Sequence, residues 1–206
     1  RGAIDSPMST PSSRTGQKLP LTLAQARQIR DLLAEQEHWL QLGLFLTAID
    51  TMLRASDLLS LRVGDLFYSD SLKARFSVKL NQRKTAGGVD FAVQNSTSEI
   101  LRCHIVQRNL MLSDRVFSRR PGGCALSDRQ YRRWVKRWVS LLGLEPDRYS
   151  THSLRRTKPS ILYGNQETRD VESIRILLGH KSISSTSAYL GISTQKALEL
   201  GLSVEI

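Results

Sequence analysis

No apolar run in the 206 residues approaches the roughly 18 needed to cross a bilayer, which excludes a transmembrane helix. An apolar secretory core near the N-terminus is also missing, so an intracellular protein is expected. The two cysteines, Cys103 and Cys124, form no CxxC pair and cannot alone supply the usual four zinc ligands. They read as reduced thiols. No internal repeat is visible. Acidic residues are scarce as well: 19 Asp and Glu stand against 30 Lys and Arg, leaving +11 and a pI near 10.2.

That imbalance suggests an acidic partner, most often nucleic acid. It is not evenly spread. Residues 101–150 hold eleven basic and four acidic residues, a net of +7. Residues 1–50 are neutral, with five of each sign, and the other two quarters carry +2 apiece.

Residues 1–19 are rich in Ser, Thr, Pro and Gly without an apolar period and read as a disordered tail. The stretch Arg1–Pro7 before Met8 looks like a vector-derived leader. From Thr22, a plausible N-cap, Leu23, Ala26, Ile29 and Leu33 recur at helical spacing. Further helices are expected at 39–51, 55–61, 96–111, 128–142, 152–163, 170–178, 184–190 and 194–200. Between the third and fourth, residues 65–69, 73–80 and 89–94 show strand-like alternation, with paired glycines in NQRKTAGG supplying a turn. The fold class predicted is mainly α with a small antiparallel three-stranded sheet.

Chemistry concentrates near the C-terminus. THSLRRT sets His152 and Arg155 three apart, on one helix face. LLGHKS places His180 behind a glycine suited to ending a helix, and Tyr189 follows nine residues later. Singly, each has an ordinary explanation: a surface pair, a common tripeptide, a core tyrosine. Together, HSLRRT and LLGHKSISSTSAYL resemble the signature of the tyrosine recombinase (phage integrase) family. That signature runs H-x-L-R-H/R-T, then L-G-H, then a tyrosine nine residues after the histidine. MLRASDLLSLRVGDL resembles the family segment holding the first catalytic arginine, at Arg54, with Asp57 matching its supporting carboxylate. QRKTAGG resembles the hairpin turn carrying the catalytic lysine, at Lys84, with Arg83 as the neighbouring alternative. The likeness covers about residues 20–200.

The resemblance implies a catalytic domain over 20–206 that cuts and rejoins duplex DNA without metal, cofactor or ATP. Tyr189 would be the nucleophile and leave a 3′-phosphotyrosine with a free 5′-hydroxyl. Arg54 and Arg155 would offer guanidinium forks to the phosphate oxygens, and His180 a further hydrogen bond. His152 would accept the tyrosine proton, and Lys84 would protonate the leaving oxygen. His38 and His104 match no motif position and read as structural or exposed; Tyr131, Tyr149 and Tyr163 stand at the wrong distance from LGH. A homotetramer on paired DNA sites and a bacterial cytoplasmic, nucleoid-associated location follow from the family. A type IB topoisomerase would share most of this set but usually has lysine at the His152 position. A catalytically silent DNA-binding protein on the same fold is the other alternative.

Helix 128–142 interleaves Arg129, Arg132, Arg133, Lys136 and Arg137 with Trp134, Val135, Trp138 and Val139, giving one apolar and one basic face. The family sets a helix against DNA here, so Arg129, Arg132, Arg133 and Lys136 are expected to bind it. Two features depart from the family. Only about 20 residues precede the first helix, where most members carry a core-binding domain; the sequence is either a truncated piece or a minimal recombinase like the fimbrial inversion enzymes, and the minimal form is expected. Lys158-Pro159 follows HSLRRT, and Pro159 should kink the helix that carries Arg155. The apolar C-terminal stretch QKALELGLSVEI would pack on its own domain or on a neighbouring protomer.

Overall fold

Helix α1 (Leu23–Glu35) begins where the sequence places an N-cap. Thr22 Oγ1 accepts from the Gln25 amide at 3.2 Å, and the Gln25 side chain accepts from the Thr22 amide at 2.9 Å. Its Ala26, Ile29 and Leu33 are buried. The computed structural model describes residues 17–68, 73–74, 78–81, 88–165 and 167–192. Residues 1–16 of the tail expected over 1–19, and the expected helix 194–200, lie outside these residues; the end of that tail is ordered instead, Lys18 Nζ donating to Asp147 O at 2.6 Å and the Leu19 amide to Arg148 O at 3.0 Å.

The most apolar helix, α2 (Trp39–Thr51), packs against α1, α5 (Asn95–Gln107) and α7 (Thr151–Gly164) and forms the centre of the core. Phe45 meets Trp138 edge-to-face, centroids 5.5 Å apart, and the Trp138 indole donates to Gln41 Oε1 at 3.0 Å. Such an indole buries a large apolar area while its N–H stays satisfied. Trp138 belongs to α6 (Asp128–Leu141), which also buries Tyr131, Val135 and Val139. Short helices α3 (Ala55–Ser60) and α4 (Val63–Leu66) follow α2. One 3₁₀ turn (Pro146–Arg148) leads into α7, and α8 (Val171–Leu178) and α9 (Ile183–Leu190) come last. Among the described residues, no helix is long and apolar enough to cross a membrane.

Four strands are described. β1 (Phe67–Tyr68) pairs antiparallel with β2 (Lys73–Ala74), and β3 (Val78–Asn81) with β4 (Gly88–Phe91). The single three-stranded sheet expected is therefore not shown; the described ladders are two separate pairs. Of the expected strand 73–80, the described residues 73–74 pair with β1 and 78–80 with β4. Its first neighbour begins later than expected because residues 65 and 66 close α4. That turn went unforeseen: four residues are too short to show a period, and it is held by the Asp65 carboxylate accepting from the Arg62 amide at 2.7 Å. Helix α5 stops four residues early because Asn109 turns left-handed (φ 50°), which lets the Leu110 amide bond back to Ile105 O at 3.0 Å.

Helix α7 starts at Thr151, capped by Ser150, and runs unbroken past Pro159 to Gly164. Pro159 thus sits in the third turn, buried, and withholds the N–H that Arg155 O would otherwise accept. Beside it, Lys158 Nζ lies 3.3 Å from Asp50 Oδ1, near the end of α2. Asp50 Oδ2 accepts from the Gln94 amide at 3.0 Å, just ahead of α5. One carboxylate therefore joins three helices. Asp50→Ala leaves a part-buried amide and an ammonium without their acceptor, so urea denaturation should show a loss of about 1–3 kcal/mol. Lys158→Met, which keeps the amide's partner, should lose less.

Candidate active site

The turn after α2 delivers Arg54. Met52 adopts a left-handed conformation (φ 51°), α2 ends, and Arg54 becomes the residue that opens α3, half-buried. Asp57 lies in the first turn of α3 and is 1% exposed. Arg155 reaches this turn from α7. It is 5% exposed; one guanidinium nitrogen donates to Met52 O, and the other donates to Leu178 O at 2.8 Å. A single planar fork thus joins the ends of α2 and α8. Burial pulls the Arg155 pKa down; Tyr189 and the Asp57 carboxylate pull it back up, and Arg54 pushes it further down.

Gly179 ends α8 left-handed (φ 63°), and His180 follows directly. Its amide bonds to Arg175 O at 3.1 Å, and its Nδ1 lies 3.1 Å from the hydroxyl of Thr186, a residue of α9 with no exposed surface. Burial, then the positive charges of Arg155, Arg54 and Arg175, bring the His180 pKa down to about 4. The imidazole is therefore neutral near pH 7. A neutral ring can donate from Nε2 only when Nδ1 accepts, so that role requires the Thr186 hydroxyl to donate to Nδ1.

Tyr189 meets His180 edge-to-face, centroids 5.3 Å apart at 82°. Its hydroxyl is buried. Burial pushes the phenol up to about 12, against the downward pull of Arg155, Arg156 and Arg54. Arg156 donates to Tyr189 O at 2.7 Å and holds its guanidinium 4.8 Å from the ring centroid. Sequence reasoning gave Arg156 and Thr186 no role. The first occupies the variable H/R position of the motif; the second had no signal.

The structure thus brings Arg54, Asp57, Arg155, His180 and Tyr189 together. His152 is exposed in the first turn of α7, one turn before Arg155. Lys84, with Arg83, lies outside the described residues, between β3 and β4. Of the competing tyrosines, Tyr131 and Tyr149 are buried in the main core, while Tyr163, with Arg169 over its ring, packs on the same Met52, Ile174 and Leu178 cluster as Tyr189. His38 is exposed; His104 is buried with Nε2 2.9 Å from Val116 O. Cys103 and Cys124 are exposed thiols. No cluster of three or more His, Cys, Asp or Glu suited to a metal occurs among the described residues.

On α6, Arg129, Arg132, Arg133, Lys136 and Arg137 are all exposed, opposite the buried Tyr131, Val135, Trp138 and Val139. Arg132 pairs with Asp128 at 2.7 Å and Lys136 with Asp147 at 2.6 Å.

Two histidines make the fold acid-sensitive. Burial lowers His104 as it lowers His180. As pH falls below the ordinary histidine value of 6.5, the unfolded chain takes up these protons first. Stability is thus fully present above pH 6.5 and is lost as pH falls toward 4. Denaturation midpoints should drop between pH 7.5 and 5, and His180→Asn should flatten that dependence.

A model of the phage integrase family matches residues 20–196. The probable integrase/recombinase YoeC of Bacillus subtilis (strain 168) is 31% identical over 150 residues, 72% of this chain and 76% of that protein. The tyrosine recombinase XerC of Thermodesulfovibrio yellowstonii is 28% identical over 72% of this chain but 48% of its own length. The crystal structure of the XerH site-specific recombinase bound to palindromic difH substrate, a post-cleavage complex, matches with a TM-score of 0.71 at 18% identity. It covers 93% of this chain and 55% of that one, so the chain spans about half the length of XerC and XerH.

Proposed function

The chain belongs to the phage integrase family, and from that premise we propose that it is a site-specific DNA recombinase acting through Tyr189. One observation carries the reading: a buried tyrosine hydroxyl stands beside Arg155 in a side-chain cluster with Arg54 and His180. A lone phenol there is hard to ionise. A phosphodiester entering the cluster would bring the negative charge that two guanidinium groups are placed to meet.

In the proposed step the Tyr189 oxygen attacks phosphorus, and the bond from phosphorus to the 5′ oxygen breaks. The exposed His152 takes the phenolic proton, and Lys84 gives one to the leaving oxygen. A phosphotyrosine at the 3′ end and a 5′-hydroxyl result. The ester preserves the bond energy, so the hydroxyl of a partner strand can reverse the attack without ATP. Arg54 and Arg155 bind the nonbridging oxygens, whose charge grows in the transition state, and His180 donates to one of them. Asp57 offsets the charge of the paired arginines. The exposed basic face of α6, with Arg129, Arg132, Arg133 and Lys136, contacts the flanking backbone. Four copies on two paired sites, in a bacterial cytoplasm, complete the proposal.

A duplex nicked beside the cleavage position traps the intermediate, because the short 5′ fragment diffuses away. The protein should form an adduct that survives denaturant. No adduct, with tight binding to the same duplex, would identify a silent DNA-binding protein. Relaxation of supercoiled DNA without site preference would identify a topoisomerase.

A further inference from the structure

Arg155 and Arg156 are neighbours on α7 with different work. A step of one residue turns the side chain by about 100°. Arg155 faces inward to Met52 O and Leu178 O, while Arg156, half-buried, faces α9. There it takes hold of Tyr189 twice. Nη2 donates to the Tyr189 carbonyl at 2.7 Å, and the guanidinium plane covers the ring at 4.8 Å. His180 meets the same ring edge-on.

That grip adds a tie to α7 for a helix that otherwise packs on α8, through Thr186 at His180 and through Tyr189 and Leu190 on Met52, Ile174 and Leu178. The helix is eight residues long, and Thr186 is its one buried residue among those described. The Tyr189 carbonyl is one of the last four in α9, which no amide of the helix can satisfy. It also sits at the negative end of the helix dipole, where a cation is favoured. The Gln17 amide, turned with its oxygen toward Arg156, accepts from the same guanidinium.

We infer that Arg156 is a positioning residue for the nucleophile: it pins the C-terminal end of α9 to α7 and so holds Tyr189 in the arginine cluster of its own chain. The inference rests on Tyr189 being the nucleophile. It makes cleavage an act of the chain bound at that site, since Arg155 and the residue that grips Tyr189 are neighbours on one helix.

Two variants separate geometry from charge. In Arg156→Ala the tyrosine loses its anchor, and adduct formation on the nicked duplex should fall about 10- to 100-fold. Affinity for intact duplex in gel shifts should not change. The alkaline rise of the rate should move to higher pH, because of the three guanidinium groups that lower the phenol only Arg155 and Arg54 then remain among the described residues, with His180 edge-on to the ring, Asp57 behind the arginines and His152 as the proposed proton acceptor. Arg156→Lys keeps the charge, so it should restore the pH profile but only part of the rate. Without DNA, hydrogen exchange should quicken in α9 of Arg156→Ala and stay unchanged in α7. An alanine variant with the wild-type rate, pH profile and α9 protection would overturn the inference. So would quickened exchange spread equally over α7 and α9. If the wild type forms no adduct while α9 alone loosens in the variant, the anchor stands and the recombinase reading falls.

Discussion

Tyr189→Phe should abolish the covalent adduct and leave DNA binding intact. The substitution removes one oxygen from a half-buried ring. The ring keeps its contacts with His180 and with the Arg156 guanidinium, and the backbone bond from Arg156 is untouched. Stability should therefore shift by no more than about 1 kcal/mol, since a buried hydroxyl traded for hydrogen loses little net. Catalysis has no such reserve. The hydroxyl oxygen forms the bond to phosphorus, and without it no covalent intermediate exists. The comparison is made at equal occupancy, with both proteins saturating the nicked duplex, by denaturing gel. An adduct persisting in the phenylalanine variant would remove Tyr189 from the role.

The sequence was a good guide where an element repeats its pattern or a residue sits in a motif. The capped start of α1 and the two faces of α6 follow from spacing alone, and nearly every helix lies within two residues of its expected bounds at each end. Elements that depend on single contacts were invisible. The one turn of α4 rests on Asp65, and the early end of α5 rests on a left-handed Asn109. The same divide runs through the site. Motif spacing brought out Arg54, Arg155, His180 and Tyr189, but it carried no information on depth. That Arg155 is buried and bonded to two helix ends, whereas His152 one turn earlier is exposed, comes from packing around the Met52 turn. Thr186 shows the limit most plainly. A serine- and threonine-rich stretch does not say which hydroxyl will face a histidine. The Lys158-Pro159 departure also resolves in space: the lysine meets Asp50, and the proline is accommodated in the interior of a helix that a capping serine starts earlier than expected.

Arg155→Lys should fold, bind DNA and cleave it about 100- to 1,000-fold more slowly. Lysine preserves the charge that Asp57 and a phosphate would meet, so the electrostatic setting of the site survives in outline. What it lacks is the fork. Arg155 donates through separate nitrogens to Met52 O and to Leu178 O, on two helices, and its planar group also adjoins the Tyr189 hydroxyl. A single ammonium cannot span both carbonyls and still present a second nitrogen to phosphate. One carbonyl loses its donor, at a cost of about 1–3 kcal/mol in urea denaturation. Arg155→Ala removes the charge as well and leaves Asp57 buried with less compensation, so a larger loss of about 3–5 kcal/mol is expected. The kinetic loss in the lysine variant should exceed what destabilisation can explain. At a temperature where both proteins are fully folded, the cleavage deficit should remain while gel-shift affinity matches the wild type. A lysine variant that cleaves within about threefold of wild type would mean that charge alone suffices and that the fork serves only to tie α2 to α8.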